Sequence, residues 1–192
     1  KYFFKKGEGG TTTLATSTLS SILCGLLPQT SKTEYHILIW YEHQAEQTPC
    51  GEIAQLVEET LQPIRSKYEY PIMVEVLSQE VRPPEASKDY TWACNNLHDR
   101  CILCNYLFVN PTANIKLFRA AQTIYFEPAF SNMNHLDLDH YPCKKINAIL
   151  NYMRRFLEVC EKEKDRLSDN YLALYRNGKR IEDLKVENRL LK

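Results

Sequence analysis

Net charge is what this sequence most plainly lacks, since its 24 basic side chains are matched by 24 acidic ones. No global field draws the chain toward a phosphate backbone, an anionic bilayer or a strongly acidic substrate. Nucleic acid is therefore not an expected partner. Long apolar runs are missing too: "ILCGLL" (22–27) falls far short of the roughly 18 residues that a membrane span needs. The basic "KYFFKK" ahead of residues 14–27 has the outline of a signal peptide, but threonines and serines interrupt its apolar part. No Asn-x-Ser/Thr acceptor occurs once "NPT" is set aside for its proline. Neither a Gly-x-Ser-x-Gly elbow nor a His-Glu-x-x-His helix occurs, so two common routes to hydrolysis have no foothold.

The apolar content, 44% against 25% charged, is ordinary for a folded chain, and 192 residues suffice for one good core. Seven cysteines without regular spacing suit reduced thiols better than a disulfide frame, which predicts a cytoplasmic protein. A first residue that is lysine rather than methionine predicts a piece of a longer chain.

Periodicity organises residues 34–163 into an α/β domain. "YHILIWY" (35–41) is a continuous apolar run, as a central parallel strand buried on both faces requires. In "GEIAQLVEETLQPI", Ile53, Leu56, Val57, Leu61 and Ile64 recur at three- and four-residue intervals opposite Glu52, Glu58 and Glu59, predicting an amphipathic helix. "PIMVEVLSQEV" predicts a second strand, closed by the proline-rich "RPPEASKD". A short helix over "DYTWACNNLHDR", a third strand over "CILCNYLFV", a helix over "NIKLFRAAQ" and a fourth strand over "TIYFEP" continue the alternation. Such alternation predicts a mostly parallel central sheet with helices on both faces. "AFSNMNHLDLDHYP" reads as a loop, and helix is expected from Cys143 to about residue 168.

The flanks are ambiguous. Residues 1–33 read as a glycine-rich turn and a helix, with "KYFFKK" able to add an edge strand to the sheet. For 164–192, Ile146, Met153, Cys160, Leu167, Leu174, Ile181 and Asn188 repeat every seven residues, with Ile149, Phe156, Leu184 and Leu191 three further on. Polar Glu163, Asn170 and Asn177 interrupt that register, and Asn177-Gly178 between apolar runs is a hairpin signal. A helical or coiled-coil extension and a hairpin are both open. As a coil, it would bury Ile181, Leu184 and Leu191 against a second copy or another helix, with Asn188 fixing register. The alternative is packing back on its own sheet.

Three sets of residues could carry chemistry. Cys94, His98, Cys101 and Cys104 lie within eleven positions, and a Cys-x-x-Cys pair with two further soft ligands suits zinc. Against a zinc-stabilised module, a strand over 101–109 would turn Cys101 and Cys104 to opposite faces, so no metal is the favoured reading. Gly7, Gly9, Gly10, Thr11 and Thr12 could cradle a phosphate at a helix N-terminus, the basis of an alternative reading as a nucleotide- or nucleotide-sugar-binding enzyme, active or degenerate. The lysine such a loop needs is absent, and a flexible glycine turn with threonine capping a helix is the favoured account of the pattern. Asp137 and Asp139, beside His135 and His140, could hold a divalent cation, yet they stand in a polar loop and read as a solvated turn.

Taken together, "YHILIWYEHQAEQ", the helix after it, "IMVEVLSQEVRPPEA" and "LHDRCILCNYLFV" resemble, in order and spacing, the first strands and helices of a TIR or related SEFIR signalling domain. The resemblance implies a flavodoxin-like parallel sheet, an acidic and polar turn after the first strand (Glu42, His43, Gln44, Glu46), and a partner-docking loop at Val81, Arg82, Pro83, Pro84 and Glu85. TIR enzymes that cleave NAD resemble one another in a glutamate on the helix after the third strand, where "NPTANIKLFRAAQ" has no acid. The "Phe-Trp" box near the last helix is also missing, the nearest equivalent being the earlier "YFEPAF". The expectation is therefore a non-catalytic adaptor or scaffold of intracellular signalling, without a cofactor. It would engage a protein partner or a second copy through loop 79–88 and its C-terminal stretch. Stiff prolines lower the entropy lost on docking, and Arg82 offers a forked donor set to a carboxylate.

Overall fold

A computed structural model describes residues 13–43, 50–80, 83–95, 102–103, 108–109, 116–120, 123–127 and 141–192. The predicted α/β class is present. Helix α1 (Thr13–Leu26) leads to strand β1 (Tyr35–His43), helix α2 (Cys50–Arg65) and strand β2 (Ile72–Glu80). β1 and β2 pair in parallel along their whole length, Tyr35 opposite Ile72 through His43 opposite Glu80. A continuous apolar run on β1, which packs on both faces, and apolar residues at three- and four-residue spacing on α2 make this unit. Ile53, Val57, Leu61 and Ile64 of α2 are all at most 1% exposed.

Beyond that unit, the sheet departs from the parallel expectation. Helix α3 (Lys88–Asn95) follows, and after α4 (Tyr141–Glu163) the chain returns as strands β7 (Leu172–Arg176) and β8 (Lys179–Ile181). The sheet order is β1-β2-β7-β8, with β7 antiparallel to β2 and β8 antiparallel to β7. The sheet is thus mixed and, among the described residues, β1–β2 is its one parallel pair. β1 stands at its edge rather than at its centre, and β2 takes the central place, buried from Ile72 through Gln79.

Two predicted elements differ in kind. Within the third strand expected over 101–109, β3 (Ile102–Leu103) and β4 (Phe108–Val109) pair antiparallel with each other, so the chain reverses there. The helix expected over "NIKLFRAAQ" is instead strand β5 (Lys116–Ala120), paired antiparallel with β6 (Thr123–Glu127). Helical spacing in a short apolar run is a weak signal, and a partner strand three residues on outweighs it.

At the C-terminus the hairpin reading holds. Asn177 (φ 48°) and Gly178 (φ 75°) both occupy the left-handed region that a two-residue β7–β8 turn demands. The Asn177 N–H donates to the Val74 carbonyl at 2.8 Å, and its Oδ1 accepts from the Val74 N–H and from Arg65, both at 2.9 Å. The helical extension is therefore absent: α4 ends at Glu163, and the following residues supply two strands of the central sheet.

Helices do cover both faces. On one, Leu19, Leu23 and Leu27 at the α1 end join α2 and Val74 and Val76 of β2. On the other, Tyr90 and Cys94 of α3 meet Phe156 and Cys160 of α4 over Leu77. The Phe156 ring lies 4.7 Å from Trp40 and 5.9 Å from Tyr90, so one side chain ties α4 to both β1 and α3.

Candidate functional site

The loop after β2 leaves the sheet with its backbone held from below. Ser87 caps α3, its Oγ accepting the Tyr90 N–H at 3.1 Å, while the Ala86 N–H donates to the Pro83 carbonyl at 3.2 Å. The Tyr90 hydroxyl donates to the Glu80 carbonyl at 3.0 Å and pins the start of the loop. Pro83 is buried; Pro84 and Glu85 are exposed.

Opposite this loop runs the turn after α4. The side chain of Glu163, only 6% exposed, reaches both sides: Oε2 accepts the Ser87 N–H at 3.3 Å, and Oε1 faces the Arg166 guanidinium at 3.5 Å. Arg166 in turn reaches the Glu85 carbonyl at 3.5 Å. Between loop and turn lies an open cleft of about 680 Å³ lined by Pro84, Glu85, Ala86, Asp165 and Arg166. Its proline wall is stiff, and its rim carries two exposed carboxylates and one guanidinium. Such a surface can dock a partner by shape and charge. It assembles neither a nucleophile with a base nor a ring of convergent donors.

Of the predicted docking residues, the structure brings Pro84 and Glu85 to this cleft, while Pro83 is buried; Val81 and Arg82 lie outside the described residues. The C-terminal set goes elsewhere. Leu184 is 5% exposed in the core beneath α4, Ile181 packs against that core, and half-buried Leu191 offers its carbonyl to Arg154 Nε at 3.2 Å. The tail thus packs back on its own sheet, and Leu184 is spent on the chain's own core.

The metal and phosphate candidates are mostly outside the described residues. Of the proposed zinc ligands, only Cys94 is described; His98, Cys101 and Cys104 are not, nor are Gly7, Gly9, Gly10, Thr11, Thr12, Asp137 and Asp139. Among the described residues, no three His, Cys, Asp or Glu side chains gather as metal ligands. Burial pushes the Cys94 thiol up to about 12 and the Cys50 thiol up to about 11, so neither offers a thiolate near neutral pH. Cys160 is raised well above the ordinary value by the same cause.

Two buried carboxylates carry structure that sequence reading passed over. Glu75, in the middle of β2 and fully buried, accepts Arg176 Nε at 3.2 Å and Nη2 at 3.0 Å, and its two oxygens accept the Glu187 N–H at 2.9 and 3.0 Å. A buried charge is tolerable only with such partners, and here it locks the C-terminal tail across the sheet. The signal was a lone acid within "IMVEVLSQ", an apolar strand. Glu163 left a fainter one, as the polar interruption of a heptad register.

No helix among the described residues is long and apolar enough to cross a membrane. No family model matches the chain, and neither a curated protein nor a solved structure matches it.

Proposed function

We propose that this chain is a non-catalytic protein-interaction domain, an adaptor or scaffold of TIR or SEFIR type in intracellular signalling, and that it docks its partner in the cleft after β2. The observation that carries the reading is the coincidence of that cleft with the proline loop: Pro84, Glu85 and Ala86 form one wall, and the turn at Asp165 and Arg166 forms the other. The buried side chain of Glu163 holds the two walls in register from below. A preformed surface loses little entropy on binding. The parallel β1-α2-β2 unit, with α3 on the far face, is the part of the fold in keeping with the family resemblance.

The test compares the parent chain with Pro84→Ala and Arg82→Ala in capture of a partner from the cell that makes it, with circular dichroism confirming the fold of each. Loss of capture in both supports docking through the loop. Unchanged capture in both refutes it.

A further inference from the structure

Residues 184–191 cross the sheet as a peptide held mainly by its own backbone. They leave β8 after Ile181 and pass over β7, β2 and β1 on the face that α4 covers. Arg176 Nη2 of β7 donates to the Lys185 carbonyl at 2.7 Å. Glu75 of β2 accepts the Glu187 N–H through both oxygens, at 2.9 and 3.0 Å. His36 of β1 meets the Glu187 carbonyl through Nδ1 at 3.1 Å, and because a carbonyl only accepts, Nδ1 is the donor. Arg154 of α4 donates to the Leu190 and Leu191 carbonyls at 3.0 and 3.2 Å. Side chains from four elements thus grip peptide groups that any segment possesses.

Selectivity is left to alternate side chains. Leu184 and Asn188 are buried and Val186 packs against the cluster beneath α4, whereas Lys185 and Arg189 are exposed. Asn188 Nδ2 also donates to the His36 carbonyl at 3.5 Å. Main-chain bonds for affinity, with every second side chain pocketed, is how extended peptides are bound. The joint into this segment is strained: Leu184 has φ 49°, in the left-handed region that a bulky side chain rarely adopts. The Asp183 carboxylate, accepting the Lys185 N–H at 3.0 Å, shapes the bend around it.

We infer that the channel between α4 and the β7–β2–β1 face is a peptide-binding groove, closed in cis by residues 184–191, which admits an extended segment of a partner protein with leucine, valine and asparagine at alternate positions. It is a second surface, distinct from the cleft at Pro84 and Arg166. The segment already seated specifies the ligand. One arriving from another protein need not turn out of β8, so it makes the same bonds without a left-handed leucine. Glu75 and Arg176 pair with each other at 3.0 Å independently of the segment, so opening the groove leaves neither charge alone. Proximity favours the chain's own segment, and a groove open for only a fraction of the time binds an incoming peptide more weakly by the inverse of that fraction.

Fluorescence anisotropy of a labelled peptide with the sequence of residues 182–192 tests this on the full chain. The parent should bind it weakly, and Val186→Asp, which loosens the chain's own segment, should bind it at least about tenfold more tightly. A peptide of the same composition in scrambled order should bind neither. Should Val186→Asp fail to fold, amide spectra of the parent decide: excess peptide should move the amides of Lys185 through Leu191 to coil positions while β2 and β7 keep their protection. No tightening in a folded Val186→Asp, equal binding of the scrambled peptide, or unmoved amides would overturn the inference. So would a dimer of the parent chain that the peptide dissolves, because the groove would then hold a second copy's segment.

Discussion

Replacing Glu163 tests how the cleft is held. In Glu163→Ala, the Ser87 N–H loses the acceptor it meets at 3.3 Å, and Arg166 loses its partner at 3.5 Å. The half-buried amide left without an acceptor costs about 1 kcal/mol. The buried stem, two carbon groups beyond Cβ, contributes about 1 kcal/mol more. The ion pair adds only a few tenths, because Arg166 is 58% exposed and solvent screens it. The sum is a loss of about 2 kcal/mol, a fall in Tm of about 4–8 °C for a domain of this size. Glu163→Gln, which keeps the stem and a carbonyl acceptor, should lose under about 1 kcal/mol. Urea unfolding of the three proteins, with equal m-values, reads this out. A loss below about 0.5 kcal/mol in Glu163→Ala would show that the carboxylate does not hold the loop to the turn.

Four other outcomes follow from the packing and the buried charges. Phe156→Ala empties the contact among Trp40, Tyr90 and α4 and should cost about 3–5 kcal/mol in chemical denaturation, a value under 1.5 contradicting the packing. Gly178→Ala forces a side chain to φ 75° and sets its Cβ 3.2 Å from Glu58 Cγ, so a loss of about 1–2 kcal/mol is expected and none would contradict the turn. Glu75→Leu alone strands the Glu187 amide and leaves Arg176 only its contacts with the Glu187 carboxylate at 3.5 Å and the Lys185 carbonyl at 2.7 Å, and should cost about 3 kcal/mol; combining it with Arg176→Met should restore part of that, and additivity in the double-mutant cycle would refute the pairing. The thiols set an alkaline limit: Cys50 and Cys94 ionise at about 11 and about 12 in the folded chain against an ordinary 9.0, so the folded state holds more protons between those values. That stability is complete below pH 9.0 and is lost as pH rises toward 12, whereas a flat unfolding free energy over that range would mean the thiols are not buried.

What the sequence disclosed was local. β1, α2 and β2 were legible because "YHILIWY" and "IMVEVLSQ" have strand-like apolar content and because the α2 leucines and isoleucines keep helical spacing. The hairpin at Asn177-Gly178 was legible as one of two readings, since glycine and asparagine are the residues that most readily accept the positive φ values found there. Strand direction and order were not legible. Nothing in "YLALYR" says that Leu172–Arg176 inserts beside β2, or that it runs antiparallel, because period-two patterning records burial and not the identity of the neighbour. "NIKLFRAAQ" misled for a related reason: Leu117 and Ala120 satisfy a helical period, and pairing with "TIYFE" decided otherwise. The proline loop was legible as a docking candidate, but its opposite wall, Asp165 and Arg166, lies about eighty positions away and needed the fold to join it.

The most direct test of the account places a photo-crosslinking residue at Glu85, in the cleft, and separately at Glu59, exposed on α2, in the cell that produces the chain. Docking through the cleft predicts a covalent adduct to one protein from position 85, none from position 59, and loss of the adduct when Pro84→Ala is added to a folded chain. Equal adducts from both positions, or an adduct from 85 indifferent to Pro84, would contradict it.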